Sequence, residues 1–104
     1  MNNFSVIYKI LHMLEKAMDY DEFDLELISA ENLKISEQRL NAILEMMVDN
    51  GYIAGVEISN YLNGEKKFVI RDMRITLKGL EYLHENKLMK KAARTAKGII
   101  AVIK

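Results

Sequence analysis

The sequence predicts an α+β domain, because a helical spacing of apolar residues gives way once to an alternating pattern and then returns. Residues 4–49 hold three helical patterns, residues 54–71 alternate around an Asn-Gly pair, and the chain is helical again from residue 75. With 104 residues, half of them hydrophobic, the chain is long enough for one small core. We expect three helices closed on one side by a β-hairpin, followed by a fourth helix and a C-terminal helix.

The composition excludes several classes of protein. The chain has no cysteine, so it has neither a disulfide framework nor a thiolate metal site, which suits a reducing cytoplasm. No run of 18 apolar residues is present, and the first residues lack the basic region of a secretory signal. We therefore expect a cytoplasmic protein with no membrane span.

The net charge is zero, but the charges are unevenly distributed: residues 1–86 form an acidic body, and residues 87–104 form a basic tail. Residues 87–104 carry six of the 15 basic side chains and no acidic one, which leaves nine basic against 15 acidic side chains in residues 1–86. The densest acidic stretch consists of Asp19, Asp21, Glu22, Asp24 and Glu26.

The first two helices are predicted from apolar spacing. Helix 1 is expected from Phe4 to Met18, with five inward residues: Ile7, Ile10, Leu11, Leu14 and Met18. It should end where the acidic side chains begin to crowd one another. A short second helix is expected from Asp24 to Glu31, with Leu27 and Ile28 facing inward.

The third helix has the clearest boundaries. Ser36 is a good N-cap, and Glu37 suits the positive end of the helix dipole. The inward stripe consists of Leu40, Ile43, Leu44 and Met47. Asn50-Gly51 tolerates the left-handed conformation that ends a helix, so helix 3 should run from Glu37 to Asp49.

The alternating segment predicts a hairpin, and its register follows from the apolar pattern. A two-residue Asn63-Gly64 loop would place Phe68 on the same face as Glu57, so the alternation would no longer separate apolar from charged side chains. A three-residue loop, 62–64, sets Ile58 opposite Phe68 and Val56 opposite Ile70. It also puts Gly64 at the left-handed position that this loop type needs.

The last helical stretch is expected to start at a Thr76 cap, with Leu77, Leu80 and Leu83 inward and a break at Asn86. This divides the chain into a domain, residues 1–86, and a basic amphipathic C-terminal helix, residues 87–104. The tail carries an a/d seam suited to a homodimer or partner contact, formed by Met89, Ala92, Ala96, Ile99 and Ile103. The alternatives are that the tail folds back on its own domain or lies on an anionic membrane.

This order of elements is that of a winged helix, in which a helix-turn-helix core is followed by a β-hairpin wing. The chain resembles the YjcQ family through GYIAGV at residues 51–56, which leads into the hairpin, and TLKGLEYLHEN at residues 76–86. The resemblance covers nearly the whole chain and implies a small winged-helix protein of Gram-positive bacteria and their phages. It carries no settled biochemical role.

The sequence does not favour an enzyme. His12 and His84 are 72 positions apart, and neither lies in a metal-ligand motif. The acidic stretch fails as a calcium loop because its sixth position, counted from Asp19, is Asp24 rather than glycine. We expect no catalytic residue, no cofactor and no metal.

The leading hypothesis is binding of double-stranded DNA in transcriptional regulation. In a winged helix the third helix enters the major groove and the wing touches the backbone. The candidate contacts are Lys34, Gln38, Arg39 and Asn41 at helix 3 and Asn60, Tyr61, Lys66 and Lys67 on the wing.

Charge opposes the DNA hypothesis, because Glu37, Glu45 and Asp49 make helix 3 acidic while DNA affinity depends on neutralising phosphates. The alternative is a phage-related protein-interaction module on the same scaffold. A basic strip joining helix 3, the wing and the tail would favour DNA, whereas an acidic helix 3 face would oppose it.

Overall fold

A computed structural model describes residues 2–86 of the chain. The elements in order are α1 (Asn3–Ala17), a 3₁₀ turn (Leu25–Ile28), α2 (Ala30–Leu33), α3 (Glu37–Asp49), β1 (Ile53–Asn60), β2 (Lys66–Ile75) and α4 (77–86). The two strands form an antiparallel sheet. This α+β arrangement, with helices before and after one hairpin, fits a winged-helix-like fold. Within residues 2–86, no helix is long and apolar enough to cross a bilayer.

Helix α1 begins at a cap that Asn2 provides, since its side chain accepts from the backbone N–H of Ser5 at 2.8 Å. Of the inward residues predicted for this helix, Ile10, Leu11 and Leu14 are buried and Ile7 is partly buried. The prediction for Met18 was wrong, because the helix ends at Ala17 and the Met18 side chain is 63% exposed. Val6, which the pattern did not single out, is fully buried.

The predicted second helix is two short pieces. Ser29 has extended backbone angles and separates the 3₁₀ turn from α2, and its hydroxyl accepts from the Asn32 N–H at 3.0 Å. This change of direction buries Ile28 as predicted but leaves Leu27 43% exposed, against expectation. The core contacts of α2 come from Ala30 and Leu33.

Helix α3 has the predicted bounds and the predicted inward stripe. The Ser36 hydroxyl accepts from the Arg39 N–H at 3.1 Å, so Ser36 is the N-cap. Leu40, Ile43, Leu44 and Met47 are all buried in the core. After Asn50, Gly51 takes a φ of 75° and turns the chain into β1.

The hairpin has the predicted register and loop. Ile58 pairs with Phe68 and Val56 with Ile70. The Tyr61 N–H donates to the Glu65 carbonyl at 2.8 Å, so residues 62–64 form the three-residue loop. Gly64 has a φ of 85°, the left-handed value that this loop requires.

A bulge in β2 interrupts the pairing, because Gly55 alone lies opposite residues 71–73 between the pairs Ala54–Arg74 and Val56–Ile70. Gly55 has a φ of 83°, and a Cβ there would overlap the Asp72 carbonyl. A glycine inside an alternating strand is typical of such a bulge, and this signal was present in the sequence.

Helix α4 is joined to the end of α3 through its cap. Thr76 Oγ1 accepts from the Gly79 N–H at 3.0 Å and donates to the Gly51 carbonyl. Leu83 is buried and Leu80 is partly buried, but the prediction for Leu77 was wrong, since this first residue of the helix is 73% exposed. The helix still includes residue 86, so any break lies outside the described residues.

The Tyr82 ring on α4 packs on Tyr52, with ring centroids 5.0 Å apart. Burial raises the pKa of Tyr82 above its ordinary value, and the charge of the neighbouring Tyr52 raises it further. A hydrogen bond with the Asn86 side chain lowers it in part.

Candidate interaction surface of the third helix and hairpin

The face of α3 opposite its buried stripe is the natural candidate for a binding surface. At 3.6 residues per turn, this outer face is formed by Gln38, Ala42, Glu45, Met46 and Asp49. Four of these residues are exposed and Glu45 is partly buried. The face therefore presents two carboxylates, an exposed methionine and no basic side chain of its own.

Arg39, one of the predicted DNA contacts, lies to one side of this outer face. Its Nε donates to Asn3 Oδ1, at the start of α1, at 2.8 Å. The guanidinium thus links α3 to α1. Asn3 is a contact that sequence reasoning missed, because nothing in the local pattern connects two residues 36 positions apart.

Lys66 joins the hairpin to α3. Its Nζ lies 2.7 Å from Glu45 Oε1 and 2.6 Å from Oε2, so one lysine contacts both carboxylate oxygens. Both side chains are partly exposed, which limits the pair to roughly 0–1 kcal/mol of stability. Its main consequence is geometric, since the stem of the hairpin and the outer face of α3 form one surface.

The two predicted wing lysines lie on opposite faces of the hairpin. Lys66 pairs with Asn60, and Lys67 pairs with Ser59. Because neighbouring residues on a strand point to opposite faces, Asn60 shares the α3 side with Lys66 while Lys67 points away. Of these two lysines, the register therefore places only Lys66 on the side of the hairpin that faces α3.

The remaining predicted contacts are scattered. Lys34 ends α2 with a left-handed φ of 58° and lines a shallow hollow with Glu26 and Glu31. Asn41 is partly buried, whereas Tyr61 is exposed beside the fully exposed Leu62 at the hairpin tip. Of the predicted nucleic-acid contacts, Gln38, Lys66 and Asn60 belong to the surface shared by α3 and the hairpin stem.

The comparisons with known proteins agree with this architecture. The family model described as YjcQ protein matches residues 8–101. The chain belongs to the YjcQ family. Among curated proteins, none matches it.

The YjcQ-family chain is also similar to the crystal structure of smu.1704 from Streptococcus mutans UA159. The TM-score is 0.53 at 19% sequence identity, over 95% of this chain and 89% of that one. At that level of identity the likeness concerns the fold alone.

Other groups of this YjcQ-family protein that could carry chemistry are dispersed. The His12 ring stacks on Tyr8 with centroids 6.0 Å apart, and its Nδ1 is buried. In the part of the chain that the structure describes, no three His, Cys, Asp or Glu side chains are grouped to hold a metal ion. The predicted seam residues Met89, Ala92, Ala96, Ile99 and Ile103 lie outside the described residues.

Proposed function

We propose that this chain is a non-catalytic winged-helix module that binds another protein through the outer face of α3 and the adjoining hairpin. The observation that carries the proposal is the character of that face, where Met46 is 45% exposed between the carboxylates of Glu45 and Asp49. Exposed methionine and tyrosine are enriched at the centres of protein interfaces. A surface of this kind suits a partner with apolar and basic side chains.

The same face is unsuited to phosphates. Protein–DNA affinity comes largely from cations that replace the counterions of the DNA backbone. Here Lys66, the basic side chain of this surface, is paired with Glu45. Arg39 keeps its charge, since its contact is with the neutral Asn3 amide, but it lies to one side of the outer face. Among residues 2–86, nine basic side chains stand against 15 acidic ones, so the domain as a whole repels a polyanion.

Binding of double-stranded DNA in transcriptional regulation is the second candidate, and one observation favours it. The Lys66–Glu45 contact makes the hairpin stem and α3 continuous, which is the layout that a winged helix uses to straddle a groove and its flanking backbone. In this mode Gln38 would face base edges, and Lys66 would have to exchange Glu45 for a phosphate.

Two measurements on the full chain separate the candidates. The first is a gel shift with bulk duplex DNA over a range of salt concentrations, where we expect no shift even at low salt. A shift that weakens steeply with salt would overturn the protein-binding proposal in favour of DNA.

The second measurement is photocrosslinking inside the cells that naturally contain the protein, from a photoreactive residue at position 46. The control carries the same photoreactive residue in place of Glu81, on the exposed side of α4. We expect a discrete protein adduct from position 46 that is absent from position 81 and is lost with Asp49→Lys. Adducts that are the same from both positions, or none from position 46, would contradict the proposal.

A further inference from the structure

A second surface of the domain lies between the loop after α1 and the bulged part of β2. Two adjoining clefts of about 300 and 310 Å³ share four lining residues, among them Phe23 and Met73, so they form one groove. The groove is lined by both charged and apolar side chains, and its apolar lining includes Leu14, Met18, Tyr20, Phe23, Leu25 and Met73. Met18, Tyr20 and Leu25 are exposed along it, which leaves a row of large apolar side chains uncovered by the described residues.

The uncompensated charge at this groove is negative. Arg74 contacts Asp72 at 3.3 Å and Arg71 contacts Glu57 at 3.8 Å, so both cations near the groove have carboxylate partners. Asp21 and Glu22 are exposed on its rim and form no hydrogen bond or ion pair within the described part of the chain. The groove therefore suits an occupant that is both apolar and basic.

The sequence of this chain contains such an occupant. Residues 87–104 carry six basic side chains, no acidic one and a majority of apolar residues. We propose that residues 87–104 dock in this groove of their own domain. Their apolar side chains would cover Met18, Tyr20 and Leu25, and their basic side chains would lie beside Asp21 and Glu22. This inference goes beyond the proposed function and does not rest on it.

The length of the segment supports docking within one chain. The groove residue Arg74 is three residues before α4, and α4 covers residues 77–86, about 15 Å at 1.5 Å per residue. The 18 residues after it reach up to about 60 Å when extended, so only a fraction of them is needed to return to the groove. A tether of this length holds the segment at roughly millimolar effective concentration, which favours its own groove over that of a second copy.

The test uses the full chain and the absence of cysteine from its sequence. An Ala101→Cys variant takes a single nitroxide label, and amide signals of the ¹⁵N-labelled chain are compared with the label oxidised and reduced. We expect selective loss of signal for residues 18–25 and 70–74. The loss should shrink as salt is raised, because the rim charges are exposed.

A charge reversal and its matched control then test the groove itself. Asp21→Lys with Glu22→Lys should restore the lost signals. Glu26→Lys with Glu31→Lys, the same charge change on two exposed residues outside the groove, should leave the loss in place. Signal loss that is spread over the whole domain, or that both double variants preserve, would overturn the proposal.

The arrangement within one chain is tested by mixing. A nitroxide-labelled chain without ¹⁵N is added to a ¹⁵N-labelled chain without nitroxide, and we expect no signal loss at high micromolar concentration. Loss at the groove in this mixture would show that the segment comes from a second copy, as in a homodimer, and would overturn docking on its own domain.

Discussion

The Lys66 ammonium group on the hairpin contacts both carboxylate oxygens of Glu45 on α3, at 2.6 and 2.7 Å. The pair connects residues 21 positions apart and ties the hairpin stem to the exposed side of α3. It also neutralises the charge of Lys66, the one basic side chain that the described part of the stem directs toward this surface. The contact thus sets both the shape and the charge of the candidate interface.

Breaking this pair should change stability little. Because both side chains are partly exposed, Glu45→Ala and Lys66→Ala should each lower the free energy of unfolding by no more than about 1 kcal/mol. A double-mutant cycle by denaturant unfolding measures the coupling, which we expect at about 0.2–1 kcal/mol. A coupling above about 2 kcal/mol would mean that the pair has a structural role that its exposure does not indicate.

Leucine substitutions test the assignment of buried and exposed positions. Leu44 on α3 is 3% exposed, so Leu44→Ala should cost roughly 2–5 kcal/mol in unfolding free energy. Leu77→Ala removes the same atoms from an exposed position and should stay within about 0.5 kcal/mol of the parent. Equal costs for the two variants would show that the face assigned to one of these helices is wrong.

Two glycines with nearly the same positive φ differ in their surroundings. Gly64→Ala at the hairpin loop has no atom within 4 Å of the new methyl group and should cost about 1–3 kcal/mol for the left-handed backbone alone. Gly55→Ala adds overlap with the Asp72 carbonyl, so it should cost more and disturb the pairing near Ala54. Thermal unfolding and amide shifts of the two variants, compared side by side, check this order.

The acidic charge on the outer face of α3 should determine whether the domain binds nucleic acid, if this helix faces DNA as it does in a winged helix. Glu45→Lys with Asp49→Lys adds two cations to the outer face and releases Lys66 from its pair. We expect this variant to gain salt-sensitive binding to duplex DNA in a gel shift.

The control variant is Glu26→Lys with Glu31→Lys, which makes the same change in net charge away from α3. It should bind DNA more weakly than the α3 variant. Equal binding by the two would attribute the gain to net charge rather than to the surface of α3 and the hairpin.

The raised pKa of Tyr82 should make stability depend on pH in the alkaline range. A folded-state pKa above the unfolded value of about 10 favours the neutral phenol, so its contribution is fully present below pH 10. That contribution is lost as the pH rises through the folded-state pKa. Urea unfolding at a series of alkaline pH values should therefore give a steeper fall for the parent than for Tyr82→Phe, and parallel curves would contradict the shift.

Short-range patterns in the sequence were sufficient to predict much of the fold. The bounds of α3, the Ser36 and Thr76 caps, and the Gly64 loop with its hairpin register all depend on residues within a few positions of one another. Caps and apolar periods act over one turn of helix or one pair of strands, so they can be recognised without knowing how the elements pack. The family resemblance rested on the same kind of contiguous motif.

The candidate interface required the tertiary structure. Nothing in the local sequence indicates that Arg39 Nε donates to Asn3 Oδ1 or that Lys66 pairs with Glu45. Met18, Leu27 and Leu77 matched an apolar period but lie at element ends, where the neighbouring element no longer covers them. Spacing determines which side chains share a face, but only packing determines which faces meet and which charges remain unpaired, because those contacts join residues far apart in the chain.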